Sequence, residues 1–161
     1  MTPDSTKWES SLYEGAQALK GLELFGVVQP APLLLALVRA VRSEKLTHKQ
    51  FNNMLQTIES FHYQYTIVSR QSSSGGVTQM YAKAARDLHA ARNASKPRDV
   101  QANVLRDMTN KLFLRMPTRD QFILAFLDRF TYTSDFTTDK RFIQYTLERF
   151  TRHEYKNSVI Q

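Results

Sequence analysis

The stretch from Phe51 to Arg70, FNNMLQTIESFHYQYTIVSR, decides the fold of this chain. Its apolar side chains recur at intervals of three and four residues, which places them on one face of an α-helix. They are Phe51, Met54, Leu55, Ile58, Phe61, Tyr65 and Val68. His62 shares that face, and we interpret it as a buried structural residue. We predict a central helix around which the others pack, with a capping box formed by Thr47 and Gln50 at its start.

Helical spacing continues on both sides of the central segment. Further helices are predicted at residues 8–22, 33–43, 79–94, 97–116, 118–130 and 139–155. Residues suited to helix starts precede or begin four of them: Pro32, Thr78, Pro97 and Thr118, the last with Gln121 at capping-box spacing. A flexible loop is predicted at residues 71–76, QSSSGG, because serine and glycine favour irregular backbone. The sequence therefore predicts an all-α fold, a single compact domain of six or seven helices over residues 1–161.

The last two predicted helices carry apolar faces that we expect to pack into the core. In the first, that face consists of Phe122, Ile123, Phe126, Leu127 and Phe130. In the second it consists of Phe142, Ile143, Leu147 and Phe150. Core packing is favoured for these aromatic side chains over stacking on nucleic-acid bases.

Composition excludes several classes of protein. The chain has 161 residues, about one domain, and no cysteine, which excludes disulfides, zinc ribbons and thiol catalysis. The start, MTPDSTKWESS, is polar and has no apolar signal-peptide segment. The longest apolar run, at residues 31–38, is too short to cross a bilayer. We expect a soluble, cytoplasmic protein that does not enter the membrane.

Positive charge is concentrated in the middle of the chain. The net charge is +7, whereas the first thirty residues carry −2. Between positions 70 and 98 there are six basic residues and one acidic residue, Asp87, which gives a net charge of +5. The predicted nucleic-acid-binding residues are Arg70, Lys83, Arg86, Arg92, Lys96 and Arg98. DNA is the partner that this stretch favours, and a solvated helix surface is the alternative.

Motifs for catalysis or metal binding are weak. His48, His62, His89 and His153 do not form a metal-binding spacing, and the Gly75-Gly76 pair lacks the following Lys-Ser or Lys-Thr of a phosphate loop. Asp135 and Asp139 flank a polar turn and could hold a magnesium ion only with another acidic ligand. We predict no catalytic residue, metal or cofactor, and retain a small magnesium-dependent nuclease as a minor alternative.

The order of the helices resembles the helical region of GmrSD-like modification-dependent restriction and phage-defence proteins. Four segments carry the likeness: PLLLALVRAV at 32–41, FNNMLQTIESFHYQYTIV at 51–68, MYAKAARDL at 80–88 and RFIQYTLERF at 141–150. In that family a ParB-like nucleotide-hydrolysing domain precedes the helical region, and an HNH-type nuclease domain often follows it. The likeness spans nearly the whole chain through diffuse helical patterns.

The resemblance implies a non-catalytic connector or interaction module within a larger nucleotide-dependent endonuclease. Neither the family's Asp-Gly-Gln-Gln-Arg-like motif nor its His-Ile-x-Pro motif occurs in this sequence, so no catalytic residue is carried over. Other domains of such a parent protein, and DNA, are the implied partners. A stand-alone protein-interaction or dimerisation domain without nucleic-acid binding is the alternative, and homo-oligomerisation is left open.

Overall fold

The computed structural model describes residues 10–71, 75–130 and 137–159, and within these ranges it is all-α, as predicted. A 3₁₀ turn at Ser10–Leu12 leads into the first helix. The seven α-helices are α1 (Tyr13–Phe25), α2 (Ala31–Arg42), α3 (His48–His62), α4 (Gly75–Ala90), α5 (Pro97–Phe113), α6 (Arg119–Arg129) and α7 (Thr137–Val159). A π-helix, Tyr63–Val68, continues α3, and a 3₁₀ turn, Ala91–Asn93, joins α4 to α5.

The predicted central helix is confirmed as α3, which packs against α1, α2 and α5. Its capping box is formed: the Gln50 N–H donates to Thr47 Oγ1 over 3.2 Å, and the Thr47 N–H donates to Gln50 Oε1 over 2.9 Å. The apolar face is buried among the neighbouring helices. Close packing of α1 on α3 requires Gly15, because a Cβ there would lie 2.6 Å from Asn52 Oδ1.

The π-helix carries the chain from α3 towards α4. The Ser69 N–H donates to the Gln64 carbonyl over 3.0 Å, five residues back instead of four, which widens the turn. Ile67 and Val68 are buried in succession as a result. The π-helix ends at Val68, and two residues later Arg70 has a left-handed φ of 50°, which turns the chain away from the helix axis.

Two polar contacts fasten α7 to the centre of the fold. Thr146 Oγ1 donates to the Phe142 carbonyl over 2.7 Å and lies 2.7 Å from Tyr63 Oη, so the tyrosine hydroxyl is placed to donate to it. One turn further on, Arg149 forms an ion pair with Glu59 of α3. These contacts bring the last helix against the central one.

Some predicted boundaries are wrong. Helix α4 begins at Gly75, so Gly75 and Gly76 are helical rather than part of the predicted loop, and Thr78 lies inside the helix instead of capping it. Burial of Val77 explains the early start, because it fixes the first turn against the core. Residues 72–74 of the predicted loop, and Trp8 of the first predicted helix, lie outside the described residues.

The apolar faces of α6 and α7 are only partly buried, contrary to prediction. No residue of α6 is fully buried, and Ile123 and Leu127 of the predicted face are 40% and 62% exposed. On α7, Phe142 is buried as predicted, whereas Leu147 and Phe150 are about 60% exposed. The helical period identifies an apolar face, but the number of neighbours available to cover it decides burial.

Candidate functional site

Basic side chains from three separate segments converge on a groove between α2 and α4. We call it the α2–α4 groove; its volume is about 260 Å³. Its cationic members are Arg39 from the last turn of α2, Arg86 from α4 and Arg92 from the 3₁₀ turn, and His89 lies beside them. The walls are apolar, with Leu35 and Ala36 on one side and alanine and leucine of α4 on the other. The groove thus combines an apolar interior with a cationic margin.

A second basic pocket lies at the C-terminal end of α2, next to the start of α5. We call it the Lys45 pocket, and Lys45, Lys96 and Arg98 line it together with Glu44 and Asp99. Arg98 Nη2 donates to the Glu44 carbonyl over 3.3 Å, which ties the start of α5 to the loop after α2. The C-terminal end of α2 and the residues just after it contribute to both cavities: Arg39 and Ala40 line the groove, and Glu44 and Lys45 line the pocket.

The structure groups four of the six predicted nucleic-acid-binding residues. Arg86 and Arg92 line the α2–α4 groove, and Lys96 and Arg98 line the Lys45 pocket. Lys83 is exposed and pairs with Asp87 over 2.5 Å. Arg70 lies at the end of the π-helix and lines neither cavity.

Sequence reasoning missed Arg39 and Lys45 as members of this basic surface. Both precede the basic stretch by twenty-five residues or more, and packing of α2 on α4 brings them to it. One signal was present: Arg39 and Arg42 are the first charges after a wholly apolar run in the sequence of α2. Charge that interrupts a buried helix marks where that helix reaches solvent.

The floor of the α2–α4 groove contains a buried polar side chain, Gln101 of α5. Its Nε2 donates to the Leu88 carbonyl over 3.4 Å. Its Oε1 is buried and has no hydrogen-bond partner among the described residues. A buried acceptor without a partner is uncommon in folded proteins and calls for a physical explanation.

A cleft of about 750 Å³, lined mainly by polar residues, lies between α1, α3 and α7. At its base, Glu59 is 1% exposed, and Arg149 Nη1 donates to both of its carboxylate oxygens. Arg149 also donates to Tyr145 Oη over 3.1 Å. Burial raises the pKa of Glu59, and the positive charge of Arg149 partly opposes this shift.

Glu59 and Arg149 neutralise each other's charge and satisfy each other's hydrogen bonds, so we assign this pair a structural role. The ion pair holds α7 on α3, and Gly21 of α1 leaves room for it, because a Cβ there would lie 3.1 Å from both Glu59 Oε1 and Tyr145 Cε2. Sequence reasoning missed the pair, whose members are ninety residues apart.

His62 is a structural residue, in agreement with its interpretation from sequence. It is fully buried, with Nδ1 3.1 Å from Thr66 Oγ1 and Nε2 3.1 Å from Tyr81 Oη. Its ring stacks on that of Tyr81 with centroids 5.8 Å apart. Burial lowers the pKa of His62 to about 4, so the imidazole is neutral near pH 7. Its contact with Tyr81 joins α3 to α4, and its contact with Thr66 reaches into the π-helix.

The magnesium alternative gains no support from the described residues. Among them, no group of three His, Asp or Glu side chains is placed to hold a metal ion. Asp135, and the side chains of Asp139 and His153, lie outside what the structure describes. Within the described ranges, none of the helices is both long enough and apolar enough to span a membrane.

Comparison with protein families, curated proteins and solved structures yields no match to this chain. The resemblance to the helical region of GmrSD-like proteins stays a prediction.

Proposed function

We propose that this chain is a non-catalytic helical interaction module that contacts DNA phosphates through the α2–α4 groove and the Lys45 pocket. The setting that its sequence pattern favours is a GmrSD-like restriction or phage-defence protein, in which it would connect and position the catalytic domains. Reading the encoding frame on both sides tests that setting: a nucleotide-hydrolysis motif before the segment and an HNH motif after it are expected.

One observation carries the DNA-binding part of the proposal: cations distant in sequence are brought together in each of two cavities that include the end of α2 or the residues just after it. Arg39, Arg86 and Arg92 share one cavity, and Lys45, Lys96 and Arg98 share the next. A solvated surface does not require charges from α2 to be brought beside charges from α4 and α5. Phosphate contacts of this kind position a protein on duplex DNA without reading its sequence.

The alternative is self-association through the exposed apolar side chains of α6 and α7, and a specific observation favours it. Leu124 and Leu127 of α6 are largely exposed, as are Leu147 and Phe150 of α7. The two helices are neighbours, since the Arg129 guanidinium lies 5.7 Å from the centre of the Phe142 ring. Exposed apolar surface concentrated on adjacent helices is typical of a contact face between subunits.

Binding to a short DNA duplex, measured by fluorescence anisotropy across a salt series, tests the first proposal. The variant Arg39→Ala/Arg86→Ala/Arg92→Ala is compared with Arg106→Ala/Lys111→Ala/Arg115→Ala, which removes the same charge from α5 and the turn after it. Each lost phosphate contact lowers the slope of log K against log salt by about 1, so the groove variant should lose up to about 3 and the control little. Equal losses for both variants would show that net charge alone is responsible.

Sedimentation velocity tests the alternative. If α6 and α7 form a dimer contact, the protein sediments as a dimer at both low and high salt, and Leu124→Glu/Leu127→Glu sediments as a monomer. A protein that is monomeric at all concentrations removes this candidate. The groove variant serves as the control, because it leaves the apolar side chains unchanged.

A further inference from the structure

We propose that the α2–α4 groove is a nucleotide site, in which an N–H of the base donates to Gln101 Oε1 and the phosphate pairs with the surrounding arginines. This inference deepens the proposed DNA contact and rests on it. It adds a chemical class of ligand, a base carrying at least one N–H donor. Contact with the DNA phosphate backbone alone would not require such a base.

The first step of the inference is the orientation of the Gln101 amide. The Leu88 carbonyl can only accept a hydrogen bond, so the amide nitrogen must face it, and the two atoms are 3.4 Å apart. The amide oxygen is thereby fixed as an acceptor on the other side of the group. It is buried in the floor of the groove and has no partner among the described residues.

The second step is the surface around that oxygen. Leu35, Ala36 and Ala85 give the groove apolar walls, and its volume of about 260 Å³ suits one aromatic ring system with its sugar at the opening. Apolar walls with one or two convergent polar groups are what small-molecule sites require for affinity and orientation.

The third step is the charge at the opening. Arg39, Arg86 and Arg92 line the same groove, and guanidinium groups pair with phosphate through two parallel hydrogen bonds. Inorganic phosphate or a sugar phosphate would satisfy these arginines but offers no ring to the apolar walls. A nucleotide meets the acceptor, the walls and the cations at once.

Gln101 lines the groove but its oxygen is buried, so binding requires the groove to open. His89 and Arg92 are exposed and line the groove. Rotation of such surface side chains between staggered conformers is fast and needs no backbone change. The groove therefore opens on binding. Because Gln101 Oε1 is already shielded from water in the closed groove, the ligand does not have to displace water from it.

The test compares binding of AMP, ribose 5-phosphate and inorganic phosphate by calorimetry, and binding of single-stranded and duplex DNA by anisotropy. We expect ribose 5-phosphate to bind at least tenfold more weakly than AMP, because it lacks the base that would contact Gln101 and the apolar walls. Gln101→Met keeps the side-chain volume and removes the acceptor. This variant should lose the preference for AMP and, without ligand, melt at a higher temperature than the wild type.

A second variant keeps the proposal testable if Gln101→Met does not fold. Leu35 is exposed, so Leu35→Glu should fold and repel the phosphate. Its matched control is Leu124→Glu, which makes the same change at an exposed position on α6. Loss of AMP binding in the first variant alone supports the site.

The outcomes separate this inference from the proposed function. The nucleotide site is supported if Gln101→Met still binds duplex DNA but no longer binds AMP. It is also supported if this variant no longer prefers an unpaired base within a single strand. Equal binding of AMP and ribose 5-phosphate, together with no base preference in single strands, overturns the nucleotide site while leaving duplex binding intact. Absence of duplex binding in the wild type overturns the proposed function, whatever AMP does.

Discussion

Replacing Arg149 with alanine should destabilise the protein because it leaves a buried carboxylate without its counter-charge. Glu59 is 1% exposed, and Arg149 donates to both of its oxygens. Removing one partner of a fully buried ion pair costs about 3–5 kcal/mol. The Arg149 side chain is 45% exposed, so water can reach part of the site, and we expect about 2 kcal/mol for Arg149→Ala.

The destabilisation should depend on pH with a defined sign. Burial already raises the pKa of Glu59, and loss of the Arg149 charge, which opposes this, raises it further. A carboxyl whose pKa is higher in the folded state stabilises the protein fully at pH values below its unfolded pKa, where it is protonated. This stability is lost as pH rises through the folded pKa. The deficit of Arg149→Ala is therefore largest near pH 7 and shrinks as pH falls towards about 5.

Urea denaturation near pH 7 and near pH 5 measures both effects. Arg152→Ala is the matched control, because Arg152 pairs with Glu148 on the exposed surface of the same helix and should contribute only about 0.5 kcal/mol. Glu59→Gln/Arg149→Ala should recover most of the loss, since a neutral amide needs no counter-charge. A deficit no larger than that of Arg152→Ala, or one that is the same at both pH values, would refute the reasoning.

Three further predictions concern His62, Gly15 at the close contact of α1 with α3, and Gly75 at the start of α4. The folded-state pKa of His62 is lowered to about 4. The neutral imidazole therefore contributes stability that is full above about pH 6.5 and is lost, by about 3 kcal/mol in total, as pH falls towards 4. In denaturation curves measured across this pH range, His62→Gln should show a weaker dependence of stability on pH. Gly15→Ala should cost about 1–3 kcal/mol, because its Cβ would meet Asn52 and Leu55. Gly75→Ala, which meets open space at a helix start, should be neutral or stabilising by up to about 1 kcal/mol in the same assay.

The features predicted correctly depend on residues close together in sequence. The capping boxes at Thr47 and Thr118 each need a partner three residues away, and both form. The apolar period of α3 is likewise complete within one helix. Local geometry fixes these features before the rest of the chain packs.

The features that were missed depend on which surfaces meet. Glu59 has no distinctive neighbour in sequence, and only the docking of α7 brings Arg149 to it. The first helix was predicted to end at residue 22, yet α1 continues to Phe25, and Gly21 within it provides space for Glu59 and Tyr145. The candidate groove was half predicted for the same reason: its α4 residues lie in the basic stretch, whereas Arg39 reaches them through helix packing.

The π-helix at Tyr63–Val68 has a consequence for how the central helix could change. A wide turn of this kind accommodates one residue more than an α-helical path would, which is the footprint of a single insertion. Deleting Gln64, which is only half-buried, would let α3 continue as a regular helix and would leave every later position close to its present angle about the helix axis. Ile67 and Val68 would then stay in the core, whereas deleting one residue from the regular part of α3 would rotate every later position by roughly 100°. The wide turn thus absorbs one extra residue while keeping the angular phase between the hub of the fold and the segment that leads into α4.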